Sequence, residues 1–319
     1  MTVDAIDKAT QSARLMKQAT YVSMAVAVTL IAAQLIGWIV TDSVSLLSSL
    51  LDSLLDGLAS LLNVVAVHHA ITPADREHRF GHGKAEPLGG LGQSAFITGS
   101  ALFLLFEAAH RLAQPASVSH TAVGIGVMLF VMIVSLGLVS YERTIVKRTH
   151  SLVIGADELH YRSHLFLGAG VAVSLAVTGA FGWPYLDPIC GMAIGLWIIY
   201  AAWGVARKSL VQLMDRELPD ADRAQIRALA LAHPLVTSVH DLRTRTSGPR
   251  TFIQIHLEMP GDITLAQAHR IADEVEATIC AAFPNAEVIT HEDPAGLAEP
   301  HRKFSAQPAA ARETVSIPH

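Results

Sequence analysis

Only two cysteines occur in 319 residues, Cys190 in an apolar stretch and Cys280 in an amphipathic one. Their scarcity excludes a disulfide framework and a thiolate site, and it argues against Cu(I), which takes soft sulfur ligands. Charge is scarce too: Asp, Glu, Lys and Arg make up 16% of the chain against 51% hydrophobic residues. A chain this apolar, with a mean hydropathy of +0.40, reads as membrane-embedded. The 23 basic residues are outnumbered by 28 acidic ones, giving a formal charge of −5, and they sit in short loops rather than one stripe. That pattern points away from a nucleic-acid partner. No HExxH helix and no Walker A loop occur, so neither a zinc-protease motif nor an ATP motor is present. The first residues, MTVDAIDKATQSARLMKQAT, lack the apolar core and small-residue cleavage site of a secretory signal, and no cleaved leader is expected.

What the chain has instead is long apolar runs. Six can be read, roughly 20–41, 44–69, 88–112, 119–141, 152–181 and 185–206. The short Thr41-Asp42-Ser43 turn makes the first two an antiparallel hairpin. Lys8, Arg14 and Lys17 precede span one, and Arg76, Arg79 and Lys84 follow span two. Arg143, Lys147 and Arg148 follow span four, and Arg207 and Lys208 follow span six, while the opposite loops hold little beyond Arg111. By the positive-inside rule both termini are expected on the cytoplasmic side of the membrane. Gly89, Gly90, Gly92, Gly99, Gly124 and Gly126 read as ordinary small-residue helix packing.

Span two breaks the apolar rule. In VSLLSSLLDSLLDGLASLLNVVAV, Asp52 and Asp56 stand four apart on one helical face. A carboxylate at that depth costs several kcal/mol unless it faces protein, water or a cation. Span five answers with His160 and His164, also four apart. Two carboxylates and two imidazoles make a donor set of mixed hardness that suits tetrahedral Zn(II) better than Mg or Ca. Asp157, one turn before His160 on the same stripe, reads as a helix-end cap, with an extra ligand or a proton acceptor as the alternatives.

The loop after span two, ITPADREHRFGHGKAEPL, holds Asp75, His78 and His82 at a spacing that suits one further metal, with Gly81 and Gly83 letting the backbone wrap. Beyond span six the composition changes. Residues 209–295 predict a helix at 219–233, strands at 236–246 and 251–259 around a Ser247-Gly248-Pro249 turn, a helix at 264–282 and a strand at 286–292. The order αββαβ predicts a ferredoxin-like α+β domain. In TFIQIHLEM, Ile253, Ile255, Leu257 and Met259 share one face and leave His256 on the other, as His291 and Asp293 share a face. With His240 and His269, these residues are enough for one or two metal ions. Residues 296–319 read as a disordered tail, and 1–19 as a cytoplasmic N-terminal segment ahead of a membrane domain over 20–208 with its metal loop at 70–87.

Six spans, DSLLD in the second, HYRSH in the fifth, DREHRFGHGKAE between the second and third, and a C-terminal part with HDLRTRTSG, FIQIHLEM, QAH and ITHEDP resemble the cation diffusion facilitator family. The likeness runs from about residue 14 to 295. It implies a homodimeric antiporter in a bacterial inner membrane that exports Zn(II), and often Cd(II) or Fe(II), in exchange for protons. Asp52, Asp56, His160 and His164 match the family's membrane site. Asp75, His78 and His82 match the loop site, and His240, His256, His269, His291 and Asp293 match the cytoplasmic cluster. Lys84 and Asp215 match a contact that ties the dimer. The family pattern in the fifth span is HxxxD, and His164 replaces that acid here. The resulting two Asp and two His equal the composition of zinc-selective members, which favours zinc over manganese. The rival readings are a metal-binding scaffold that transports nothing and a channel indifferent to pH.

Overall fold

A computed structural model describes residues 3–41, 44–113, 122–181 and 185–296. The 42–43 part of the first turn and the tail from 297 onward lie outside what is described. Six long helices come first: α1 (Val3–Thr41), α2 (Val44–Ala70), α3 (Ala85–Ala113), α4 (Ala122–Thr149), α5 (Leu152–Phe181) and α6 (Leu186–Leu213). The helices outrun the apolar stretches. α1 begins at Val3, so the polar N-terminal segment is helical as well; α4 carries Lys147 and Arg148 in its last turn, and α6 carries Arg207 and Lys208 ahead of its last turn.

Sidedness within the bundle is the reverse of a soluble core. On α2 the buried positions include Ser53, Ser60 and Asn63, while Leu51, Leu54, Leu55, Leu58 and Leu61 face outward. Lipid is as apolar as leucine, so burying leucine gains nothing there, whereas polar side chains must face protein. α1 repeats the pattern with Met16, Ala19, Thr20, Ser23, Ala27 and Leu30 buried at three- and four-residue spacing. Among the described residues, five helices are long and apolar enough to cross a membrane. α5 is the inner helix: every residue from Ala156 to Tyr161 is buried, and α1, α2, α3, α4 and α6 all pack on it. Its ionisable groups are tolerated because protein surrounds them. A Cβ on Gly89 would stand 2.4 Å from that of Ala66, so this glycine sets how closely α3 approaches α2. Gly99 and Gly126 face open space and make no such contact.

The second unit follows the expected αββαβ order: α7 (Asp220–Leu231), β1 (Ser238–Ser247), β2 (Arg250–Met259), α8 (Leu265–Ala282) and β3 (Ala286–Pro294). β2 is central, antiparallel to β1 and parallel to β3. Strand alternation sends Ile253, Ile255, Leu257 and Met259 into a core with Ile226, Ile271, Val275 and Ile279 of the two helices. α8 starts with a reciprocal capping box between Thr264 and Gln267.

The two units meet at the loop after α2. Lys84 Nζ lies 2.9 Å from Asp215 Oδ1 within the same chain and also donates to the Leu213 carbonyl at 3.3 Å. Arg245 stacks between the rings of Phe80 and Phe252 at 4.8 and 4.6 Å. Gly83 touches the β1–β2 turn so closely that a Cβ would fall 2.2 Å from the Ser247 carbonyl oxygen. Gly83→Ala is therefore expected to destabilise this docking by about 1–3 kcal/mol. Limited proteolysis should then cut the loop faster than in the parent; equal cleavage rates would refute the contact.

Candidate metal sites and family membership

The helical face of α2 and the inner stripe of α5 converge on three side chains. Asp56 Oδ1 is 2.8 Å from His160 Nε2, and Asp56 Oδ2 is 3.5 Å from His164 Nε2. The two imidazole nitrogens are 3.4 Å apart. A tetrahedral ion with bonds of about 2.0 Å spaces its donors roughly 3.3 Å apart. Reached through the two oxygens of Asp56, these separations put the three side chains within range of a single ion. Asp52, one turn away, is exposed and stands outside this group, although its spacing from Asp56 puts it on the same side of α2.

Asp157 is not a helix cap. The first turn of α5 is capped by others: Glu86 of α3 accepts from the Leu152 N–H at 2.8 Å, and Ser151 Oγ accepts from the Ile154 N–H at 3.4 Å. Asp157 lies deeper, 2% exposed, and accepts from Ser23 Oγ at 2.5 Å and from Gln93 Nε2 at 3.4 Å. Glu142, 1% exposed, is a second buried acid on α4, the helix packed along α5. Sequence reading missed Glu142 because span four was ended at 141. The usable signal was the spacing Ser135, Leu138, Val139, Glu142, Ile145, all buried along one stripe.

In the loop, Asp75 Oδ1 is 3.4 Å from His78 Nδ1 and Asp75 Oδ2 is 3.4 Å from His82 Nε2. The same carboxylate accepts the backbone N–H of His78 at 2.6 Å and of Glu77 at 2.9 Å. Those bonds favour the ionised form and hold its pKa below the usual aspartate value. A depressed folded-state pKa contributes order that is present above the unfolded value and is lost as pH falls through the folded one. The Glu77 and His78 amides should stay protected from hydrogen exchange through mild acid and open only below the ordinary carboxylate range. Opening near neutral pH would contradict the turn.

In the second unit, register does the assembly. β pairing sets His240 opposite His256 and His256 opposite His291, so one imidazole from each strand lies abreast on the face away from the helices. Asp293, two residues along β3, is buried beneath them. Its Oδ2 is 2.8 Å from His256 Nδ1 and 3.5 Å from His240 Nε2, while Oδ1 is 3.1 Å from His291 Nε2. One carboxylate therefore offers an oxygen to each of two neighbouring donor groups. His269 is not brought in; it is exposed on α8 beside Asp273 at 3.7 Å. Two acids unassigned from sequence border the row: Glu258 is 3.3 Å from His240, and Asp241 is 3.8 Å from His256. Asp241 is also held by Arg243 at 2.8 Å, which lowers its pKa.

Residues 20–214 match the model of the cation efflux transmembrane domain and residues 218–295 that of the cation efflux protein cytoplasmic domain. The chain is similar to the cation-efflux pumps FieF of Salmonella paratyphi A and Salmonella agona, 42% identical over 284 residues, covering 89% of this chain and 94% of each relative. A solved structure of CzrB in its Zn form is 37% identical, with 27% of this chain and 98% of that one covered and a TM-score of 0.25. With both family models matched in order along a chain of six helices and an αββαβ unit, this protein belongs to the cation efflux, or cation diffusion facilitator, family of membrane transporters.

Proposed function

We propose that the chain is a proton-coupled antiporter exporting divalent transition metals, Zn(II) foremost and also Cd(II) and Fe(II), from the cytoplasm by alternating access. It works as a homodimer in a bacterial inner membrane with both termini cytoplasmic. The observation that carries this reading is the Asp56–His160–His164 group, in which the two oxygens of Asp56 lie 2.8 and 3.5 Å from imidazole nitrogens that are themselves 3.4 Å apart. Asp52 or water completes the four positions. Cation efflux by the family sets the direction, and the imidazoles supply the coupling. An unperturbed imidazole titrates at about pH 6.5, so the atoms that hold a dication also take protons near neutrality. Metal entry expels those protons, and protonation expels the metal.

The Asp75–His78–His82 group would capture the substrate near the junction between the units. The His240–His256–His291 row with Asp293 would hold regulatory Zn(II), the carboxylate bridging two ions, with His269 joining only if α8 is approached by a second copy. Occupancy there would favour one arrangement of the dimer and bias transport. The test is flux into sealed liposomes over Zn(II), Cd(II), Fe(II) and Mn(II), with and without an imposed pH gradient. Zinc flux that rises with the gradient supports the antiporter. Flux indifferent to pH would make it a channel, and bound metal without flux would make it a scaffold.

A further inference from the structure

Both imidazoles that approach Asp293 Oδ2 turn their second ring nitrogen to another carboxylate. His240 meets Asp293 with Nε2 at 3.5 Å and Glu258 Oε1 with Nδ1 at 3.3 Å. His256 meets Asp293 with Nδ1 at 2.8 Å and Asp241 Oδ2 with Nε2 at 3.8 Å. A metal-ligating histidine commonly gives its other N–H to a carboxylate, which fixes the tautomer and the ring orientation. We propose that Glu258 and Asp241 are positioning residues of the cytoplasmic metal row, each holding one imidazole so that its ligand nitrogen faces Asp293. The proposal rests on the reading of that row as a metal site and names the two residues that shape it.

The backbone brings the two acids to the row by different means. Glu258 follows His256 by two residues on β2 and so shares its face. Antiparallel pairing sets His240 opposite His256 and Ser238 opposite Glu258, which makes Glu258 the diagonal neighbour of His240. Asp241 arrives through an irregularity. Strict alternation after His240 would turn it toward the helices and the core. The register slips between His240 and Arg243, so Asp241 and Leu242 of β1 stand where β2 supplies Ile255 alone. Leu242 takes the core position at 8% exposed, and Asp241 keeps the outer face with a φ of +45°. Aspartate is among the few side chains that tolerate this region.

Arg243 then clamps the Asp241 carboxylate, donating from Nε to Oδ1 at 3.1 Å and from Nη2 to Oδ2 at 2.8 Å. A carboxylate engaged by a guanidinium fork is a fixed acceptor more than a ligand. Glu258, at 3.3 Å, is within reach of an N–H donor, whereas Asp241, at 3.8 Å, orients its ring electrostatically. Glu258 has the larger effect of the two.

The test uses the full-length protein carrying Asp56→Ala and Asp75→Ala, so that a Zn(II) titration against a chromophoric chelator reads the cytoplasmic row. On that background Glu258→Ala should lower affinity by about 10- to 100-fold. Glu258→Gln keeps an oxygen that accepts from Nδ1–H and should recover most of the loss. Asp241→Gly retains the backbone turn without the carboxylate and should lose less than Glu258→Ala, with Asp241→Asn recovering toward the parent. With Co(II) as the probe, the parent's ligand-field spectrum should return in Glu258→Gln and stay altered in Glu258→Ala. Thermal unfolding without metal should be the same in the parent and both Glu258 variants, which separates positioning from folding. Parent-like affinity in Glu258→Ala would overturn the proposal. Equal losses in Glu258→Ala and Glu258→Gln would overturn it as well, since Glu258 would then be a ligand itself. A background protein that binds no Zn(II) would remove the metal-site reading and the positioning role with it.

Discussion

Asp56→Ala should reduce zinc flux in liposomes by at least about 100-fold, since even the partners behind a metal ligand cost 10- to 100-fold. Asp56 is the vertex of the membrane triangle: Oδ1 faces His160 at 2.8 Å and Oδ2 faces His164 at 3.5 Å. Its removal leaves two imidazoles and no anion for a dication deep in the bundle. Asp56→Asn tests the charge with the shape kept and should fail nearly as badly. Asp52→Ala should cost less, because Asp52 is exposed and outside the triangle. Equal losses at both acids would mean that all four side chains close on the ion. Full flux in Asp56→Ala would remove the triangle from the transport path.

Asp293→Ala should abolish tight metal binding to the cytoplasmic unit while leaving the membrane triangle loaded. Three imidazoles from three strands point at this one buried carboxylate, through both of its oxygens. Without it, both subsites lose their shared buried carboxylate at once and keep only the bordering acids Glu258 and Asp241, whereas His240→Ala or His291→Ala removes one neutral ligand from one subsite. The expected order of affinity loss is Asp293→Ala well above either histidine variant, read by competition with a chromophoric chelator on the full chain. Comparable losses for all three would point to single, independent sites. Flux in Asp293→Ala should persist at saturating zinc and lose its response to low zinc.

Much of this was legible in the chain. Spans of apolar residues, the 3.6 spacing of Asp52 with Asp56 and of His160 with His164, and the period-two pattern of TFIQIHLEM are local signals, and local geometry fixes which side chains share a face. The αββαβ order was legible too, down to the turn at Gly248, whose φ of +57° suits glycine. The helices run on past the apolar stretches where basic residues continue them, as in α4 and α6. Hydropathy marks where lipid is, and a helix stops where its backbone hydrogen bonds stop.

The sequence by itself determined which residues carry chemistry and on which face of its own element each lies, because side-chain periodicity is a property of a single helix or strand. Only the tertiary structure decided which faces meet. Register across β1, β2 and β3 brought His240, His256 and His291 abreast and left His269 apart. Packing of α5 among five helices turned Asp157 from an apparent cap into a buried acceptor for Ser23 of α1 and Gln93 of α3, each on another helix. Such pairings depend on where helices cross, and no spacing along one of them encodes that.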